Sequence, residues 1–126
     1  MKNIIGCLIL LKDDFNNILL IQKGKKKNPG KWQLVGRRKK GKETDEKCIN
    51  NAIKEDLNTL IFDLEEYGEF NDENNETFMI YTGKIKDFMN LGKNVISSEW
   101  VSENRIENID IEEFSKNVVN DFFKKL

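Results

Sequence analysis

Apolar residues recur along this chain in short blocks, and their spacing shifts from continuous to helical to alternating. Residues 3–11 form a nearly unbroken apolar run, the pattern of a strand buried on both faces. The polar stretch 12–17 is turn-rich and residues 18–22 give a second strand, so the two read as a hairpin. Pro29, the only proline, and Gly30 punctuate a loop before a short strand at 32–36. Thr44 suits a helix N-cap, with Asp45 and Glu46 matching the positive end of the helix dipole. Ile49, Ile53 and Leu57 then fall on one helical stripe, with Ala52 beside them. Three strand-like runs follow at 64–70, 77–86 and 95–101. In the middle run, Phe78, Ile80 and Thr82 alternate with Met79, Tyr81 and Gly83. A last helix is predicted from Asp110, with Glu113 as its capping-box partner. It buries Ile111, Phe114, Val118 and Phe122 and ends in Lys124 and Lys125. The order predicts a mixed sheet with a helix on each face, an α/β (α+β) domain spanning residues 1–126.

Composition narrows the chemistry. The 126 residues are 38% hydrophobic and 34% charged, which is polar but enough for one core. Lys, Asn and Ile are abundant and Arg is scarce, a genome-level bias that weakens any inference from lysine number alone. Cys7 and Cys48 are too few for a disulfide framework or a thiolate metal site, and both sit in apolar patterns. They read as buried reduced thiols of a cytoplasmic protein. The absence of histidine excludes a Ser-His-Asp triad and any His-ligated zinc, so carboxylates or lysines must carry acid–base work. The first apolar run is too short to cross a bilayer, and no membrane partner is expected.

The net charge of −1 hides a strong asymmetry. Residues 23–42 hold ten basic side chains and no acidic one, leaving −11 for the rest. Such a block is either a solvated loop or a polyanion-facing surface, for nucleotide phosphates or RNA. On a helical wheel, Asp56 lands inside the apolar stripe between Ile49 and Ile53, and Glu55 lies at its edge. A carboxylate there must be paired, coordinate a cation, or turn to solvent at a frayed helix end.

The segments Gly30-Lys31-Trp32-Gln33-Leu34-Val35-Gly36, Gly41-Lys42-Glu43-Thr44 and Lys54-Glu55-Asp56-Leu57 together resemble the Nudix (MutT-like) hydrolase family. Its box reads G-x5-E-x7-R-E-U-x-E-E-x-G-U, with U apolar, and in register it spans residues 37–59. Glu43 matches the first glutamate, Ile53 the apolar U, and Glu55 and Asp56 the final acidic pair. Arg37 replaces the opening glycine, Asn51 the arginine, Ala52 the first helical glutamate and Asn58 the late glycine, so the box is degenerate. Ser98-Glu99-Trp100 resembles a late-strand metal position of some members.

The resemblance implies a Nudix-like α/β/α sandwich and hydrolysis of a nucleoside diphosphate linked to another moiety. It implies Mg2+ or Mn2+ held by Glu55, Asp56 and Glu99, because hard cations on carboxylates neutralise diphosphate oxygens while water attacks phosphorus. Glu43, Glu55 and Asp56 become the catalytic candidates, with Glu43 better suited to a supporting place. Arg37, Arg38, Lys39 and Lys40 become candidate contacts to substrate phosphates. The missing carboxylate at Ala52 and missing charge at Asn51 predict weakened metal affinity and weakened catalysis. The alternative is a non-catalytic module that binds nucleotide or RNA through the basic loop 23–42, and ligand-free scaffolding ranks third. Trp32 is expected to define the fold, and Phe15, Phe70, Phe78, Tyr81 and Trp100 to pack in core or sheet.

Overall fold

Strand β1 (Ile4–Leu11) is a wall shared by two hydrophobic cores. Side chains alternate across a strand, so Leu8 and Leu10 enter one core while Cys7, Ile9 and Leu11 enter the other. This explains why residues 3–11 read as continuously apolar. β2 (Ile18–Lys25) divides in the same way, Ile18 and Leu20 against Leu19 and Ile21. The computed structural model describes residues 3–85 and 89–126; Met1, Lys2 and Lys86, the predicted end of the 77–86 strand, lie outside the described residues.

The strands form two sheets instead of one. Four of them, β4 (Val35–Arg38), β1, β6 (Thr77–Ile85) and β5 (Ile61–Asn71), lie in that order, with β1 and β6 parallel and the other pairs antiparallel. The second sheet is antiparallel in the order β3 (Asn28–Gln33), β2, β7 (Val95–Val101). Helix α1 (Asp45–Leu57) covers the core containing Cys7 and Ile9, and α2 (Glu113–Lys124) the core containing Leu8 and Leu10. The sandwich of helices around a mixed sheet thus stands, with a second sheet added.

Several local expectations are corrected. β1 and β2 belong to different sheets and are linked by the Lys12–Ile18 bridge, because both edges of each strand are already paired, those of β1 with β4 and β6 and those of β2 with β3 and β7. The predicted 32–36 strand is broken at Leu34, where the chain passes between sheets; the Leu34 N–H donates to the buried Ser115 hydroxyl at 3.0 Å. Pro29 lies within β3, tolerated because β3 is an edge strand. α2 is capped by Glu112, which accepts from the Ser115 N–H at 2.9 Å. Asp110 does not cap it: residues 110–112 are extended, and the Asp110 carbonyl accepts from the Trp32 N–H at 2.9 Å. Trp32 packs on the core as expected, but Phe15 is 85% exposed at the turn after β1 and belongs to neither core nor sheet. Phe78 and Tyr81 are buried, and Phe70 and Trp100 pack against the cores. A 3₁₀ helix at Glu103–Asn108 has no counterpart in the sequence reading. Both cysteines are buried free thiols.

Candidate functional site

The site is built where β4 runs into α1. Gly36 pairs with Leu8, and a Cβ on it would meet the Leu8 Cα at 2.6 Å, so only glycine lets β4 lie this close to β1. That approach fixes the next residue, Arg37, beside α1. Thr44 caps the helix by accepting from the Lys47 N–H at 3.2 Å, as expected. At the other end Asn58 adopts φ 47°, a left-handed conformation that asparagine tolerates better than most residues, so loss of the box's late glycine leaves the helix terminus intact.

Arg37 organises the interior of the site. Its Nη1 and Nη2 each donate to the Glu43 carboxylate at 3.1 Å, forming a two-pronged ion pair. Glu43 also accepts from the Lys40 N–H at 2.7 Å and from Asn51 Nδ2 at 2.8 Å. The Arg37 bonds, followed by the Lys40 and Asn51 bonds, hold its carboxyl down at about 2, and Glu43 in turn keeps Arg37 firmly protonated. Asn51 therefore still reaches Glu43, while the guanidinium comes from β4 instead of the helix.

Glu55 and Asp56 are adjacent in sequence and unlike in surroundings. Glu55 is half exposed, 3.7 Å from Arg37 Nε and 3.5 Å from Lys40 Nζ. Asp56 is 6% exposed, as its place in the apolar stripe implied, and the helix end does not fray to release it. Its partner is Lys23 at the end of β2, at 3.3 Å. Burial raises its carboxyl above the ordinary value, and Lys23 only partly offsets that. Ala52, between these carboxylates and Glu43 in sequence, is buried and brings no donor.

The remaining candidates disperse. Glu99 on β7 pairs with Arg105. Arg38 and Lys39 turn to other carboxylates than Arg37 does, whereas Lys40 shares Glu55 with it. Arg38 pairs with Glu76, with one bond at 3.2 Å, Lys39 with Asp45, and Lys40 with Glu55. Two residues that matter were not singled out from sequence. Lys23 was one of ten block lysines and arginines; the buried Asp56 demanded a cation, but only the fold supplies its position. Gly92 packs on the C-terminal end of α1, its N–H donating to the Asp56 carbonyl at 2.8 Å, and a Cβ there would strike the Glu55 carbonyl oxygen. Nothing in the sequence signals that contact.

The acidic candidates form no ready cluster for a divalent cation among the described residues. Among the described residues no three His, Cys, Asp or Glu side chains are grouped to share one. Glu43, Glu55, Asp56 and Glu99 each face a protein cation instead, where a hard metal needs several free carboxylate or carbonyl oxygens. Across the sheet from the Arg37 guanidinium, on the α2 side, lies a hollow of about 200 Å³ whose lining includes Arg38, Phe78, Phe114 and the acidic residues Asp72, Glu73 and Glu112. A second, of about 280 Å³, is lined by Phe15, Asn17, Ser102 and Phe123 and has no lysine or arginine in its wall.

No family model and no curated protein matches this sequence. Solved structures do match in fold. A MutT structure described from Aliivibrio salmonicida and Vibrio cholerae aligns at TM-score 0.80 and 13% identity, over 99% of this chain and 100% of that one. The NUDIX domain of Shewanella oneidensis NrtR, complexed with ADP ribose, aligns at TM-score 0.75 and 14% identity, over 99% and 89%. A Caenorhabditis elegans Ap4A hydrolase binary complex aligns at TM-score 0.74 and 12% identity, over 94% and 96%. The chain has the Nudix fold. Among its described residues no helix is long and apolar enough to cross a membrane.

Proposed function

We propose that this protein recognises a nucleoside diphosphate derivative at the Arg37 site while its hydrolytic power is largely lost. The observation that carries the reading is that Glu43, Glu55 and Asp56, all at box positions, are neutralised by Arg37, Lys40 and Lys23. Fixed side-chain cations thus stand where a complete box would gather Mg2+ or Mn2+. Two of the fold's solved relatives carry ADP ribose or are named for Ap4A, which makes these two molecules the first probes.

A second reading keeps metal-dependent pyrophosphohydrolysis. It is favoured by Glu55, whose two ion pairs are longer than those of Glu43 and Asp56 and whose carboxylate still reaches solvent. Calorimetric titration of ADP ribose and Ap4A with EDTA, then with Mg2+ or Mn2+, separates the two. The first reading expects binding in EDTA that metal changes by less than about threefold, with phosphate release no faster than in Glu55→Gln. Metal-dependent turnover abolished by Glu55→Gln would replace it with the second.

A further inference from the structure

Two glutamates share Arg37 and hold it differently. Glu43 occupies both Nη atoms at 3.1 Å, is 12% exposed, and takes two further hydrogen bonds. Glu55 is 52% exposed and stands 3.7 Å from Nε and 3.5 Å from Lys40 Nζ. Nε itself is buried and makes no hydrogen bond. The guanidinium therefore has one end fully committed and one N–H aimed at an anion position that Glu55 fills only loosely.

We infer that Glu55 is an internal placeholder for a ligand phosphate, an autoinhibitory contact that the diphosphate displaces from Arg37 Nε and Lys40. The inference rests on the nucleotide-binding reading above. Ion pairs of this length to a carboxylate half in solvent hold weakly, whereas a phosphate oxygen meeting Nε at hydrogen-bond distance gains a charge-assisted bond and satisfies the buried N–H. The displaced Glu55 side chain is already half in solvent, so its release exposes no apolar surface. Asp56 cannot play this part, being 6% exposed and tied to Lys23. Arg37 cannot drift to follow Glu55, because Glu43, Lys40 N–H and Asn51 lock the other end.

The consequence is a sign opposite to that of a metal ligand: removing the Glu55 charge strengthens anion binding. Inorganic pyrophosphate is titrated by calorimetry in EDTA into the unsubstituted protein, Glu55→Gln, Glu55→Ala and Arg37→Ala. Both Glu55 variants are expected to bind about three- to tenfold tighter than the unsubstituted protein, the range that loss of weak competing pairs allows. Arg37→Ala is expected to abolish binding. Equal or weaker pyrophosphate binding by both Glu55 variants overturns the placeholder. If ADP ribose still binds the unsubstituted protein in that case, the nucleotide reading survives alone. If Glu55→Gln gains pyrophosphate while no nucleotide binds any variant, the placeholder survives and the nucleotide reading falls.

Discussion

The two ends of the basic block, so similar in sequence, have opposite electrostatic fates. Lys25, Lys26 and Lys27 sit at the exposed turn joining β2 to β3 and have no ion-pair partner among the described residues. Arg37, Arg38, Lys39 and Lys40 leave β4 beside α1 and the β5–β6 turn, and each meets a carboxylate. The first end offers open charge to any polyanion, weakly and without geometry. The second is an internally balanced network, whose value to a ligand depends on which carboxylate yields. Counting charges along a chain therefore finds the block but not the available cation.

The comparison can be broken or sharpened by substitution. The largest effect is expected for Lys23→Met, at the point where the block enters the site. It strands the buried Asp56 carboxylate, and urea unfolding should show a loss of about 1–3 kcal/mol, below the full cost of breaking a buried pair because Lys23 is partly exposed. A loss below about 0.5 kcal/mol, the range of ordinary surface changes, would mean that the pair is no more consequential than the free lysines.

Next comes acid stability. Glu43 has a carboxyl lowered from 4.5 to about 2, so it favours the folded state above the ordinary value and loses that contribution as pH falls toward about 2. Asp56 acts in the opposite sense: its raised carboxyl favours the fold when protonated, so its penalty is relieved on acidification and returns as pH rises. Glu43→Gln should therefore flatten the acid loss between pH 4.5 and about 2, followed by circular dichroism. An unchanged acid limb would show that the Arg37–Glu43 pair is energetically idle.

The smallest effect on the fold belongs to the hairpin tip. Replacing Lys25, Lys26 and Lys27 together by alanine should shift stability by no more than about 0.5 kcal/mol. It should leave ADP-ribose affinity unchanged. Any single-stranded RNA binding should become less salt-dependent, its logarithmic slope falling by up to about 0.7 for each phosphate that the three lysines neutralise. Loss of nucleotide affinity in this variant would move the ligand to the hairpin and reverse the assignment of the two ends.

Much of this was legible in the residues. The wheel put Asp56 among apolar neighbours, Thr44 marked the start of α1, and the acidic pair together with the segments 30–36 and 41–44 pointed to the Nudix fold. What stayed hidden depends on contacts far apart in sequence. The split of residues 32–36 at Leu34 turns on a hydroxyl from α2, and the rescue of Asp56 turns on how β2 lies against α1. Arg37 looked like damage to a glycine position and is instead the centre of the network, because its partners Glu43 and Glu55 come together only when α1 packs on β4. The sequence reading treated Arg37 through Lys40 as one patch because they are contiguous; the fold sends Arg38 to Glu76 and Lys39 to Asp45 and leaves Arg37 and Lys40 sharing Glu55.

The double-sided burial of β1 sets how the molecule can come apart. Both helices lean on the same strand, from opposite faces. Peeling either away uncovers apolar side chains whose neighbours along the backbone still anchor the other half, so partial melting has little to gain. The domain should open as one cooperative unit, with the amides of β1 admitting solvent deuterium only when everything opens. The Arg37 network, seated on the strand next to it, inherits that rigidity.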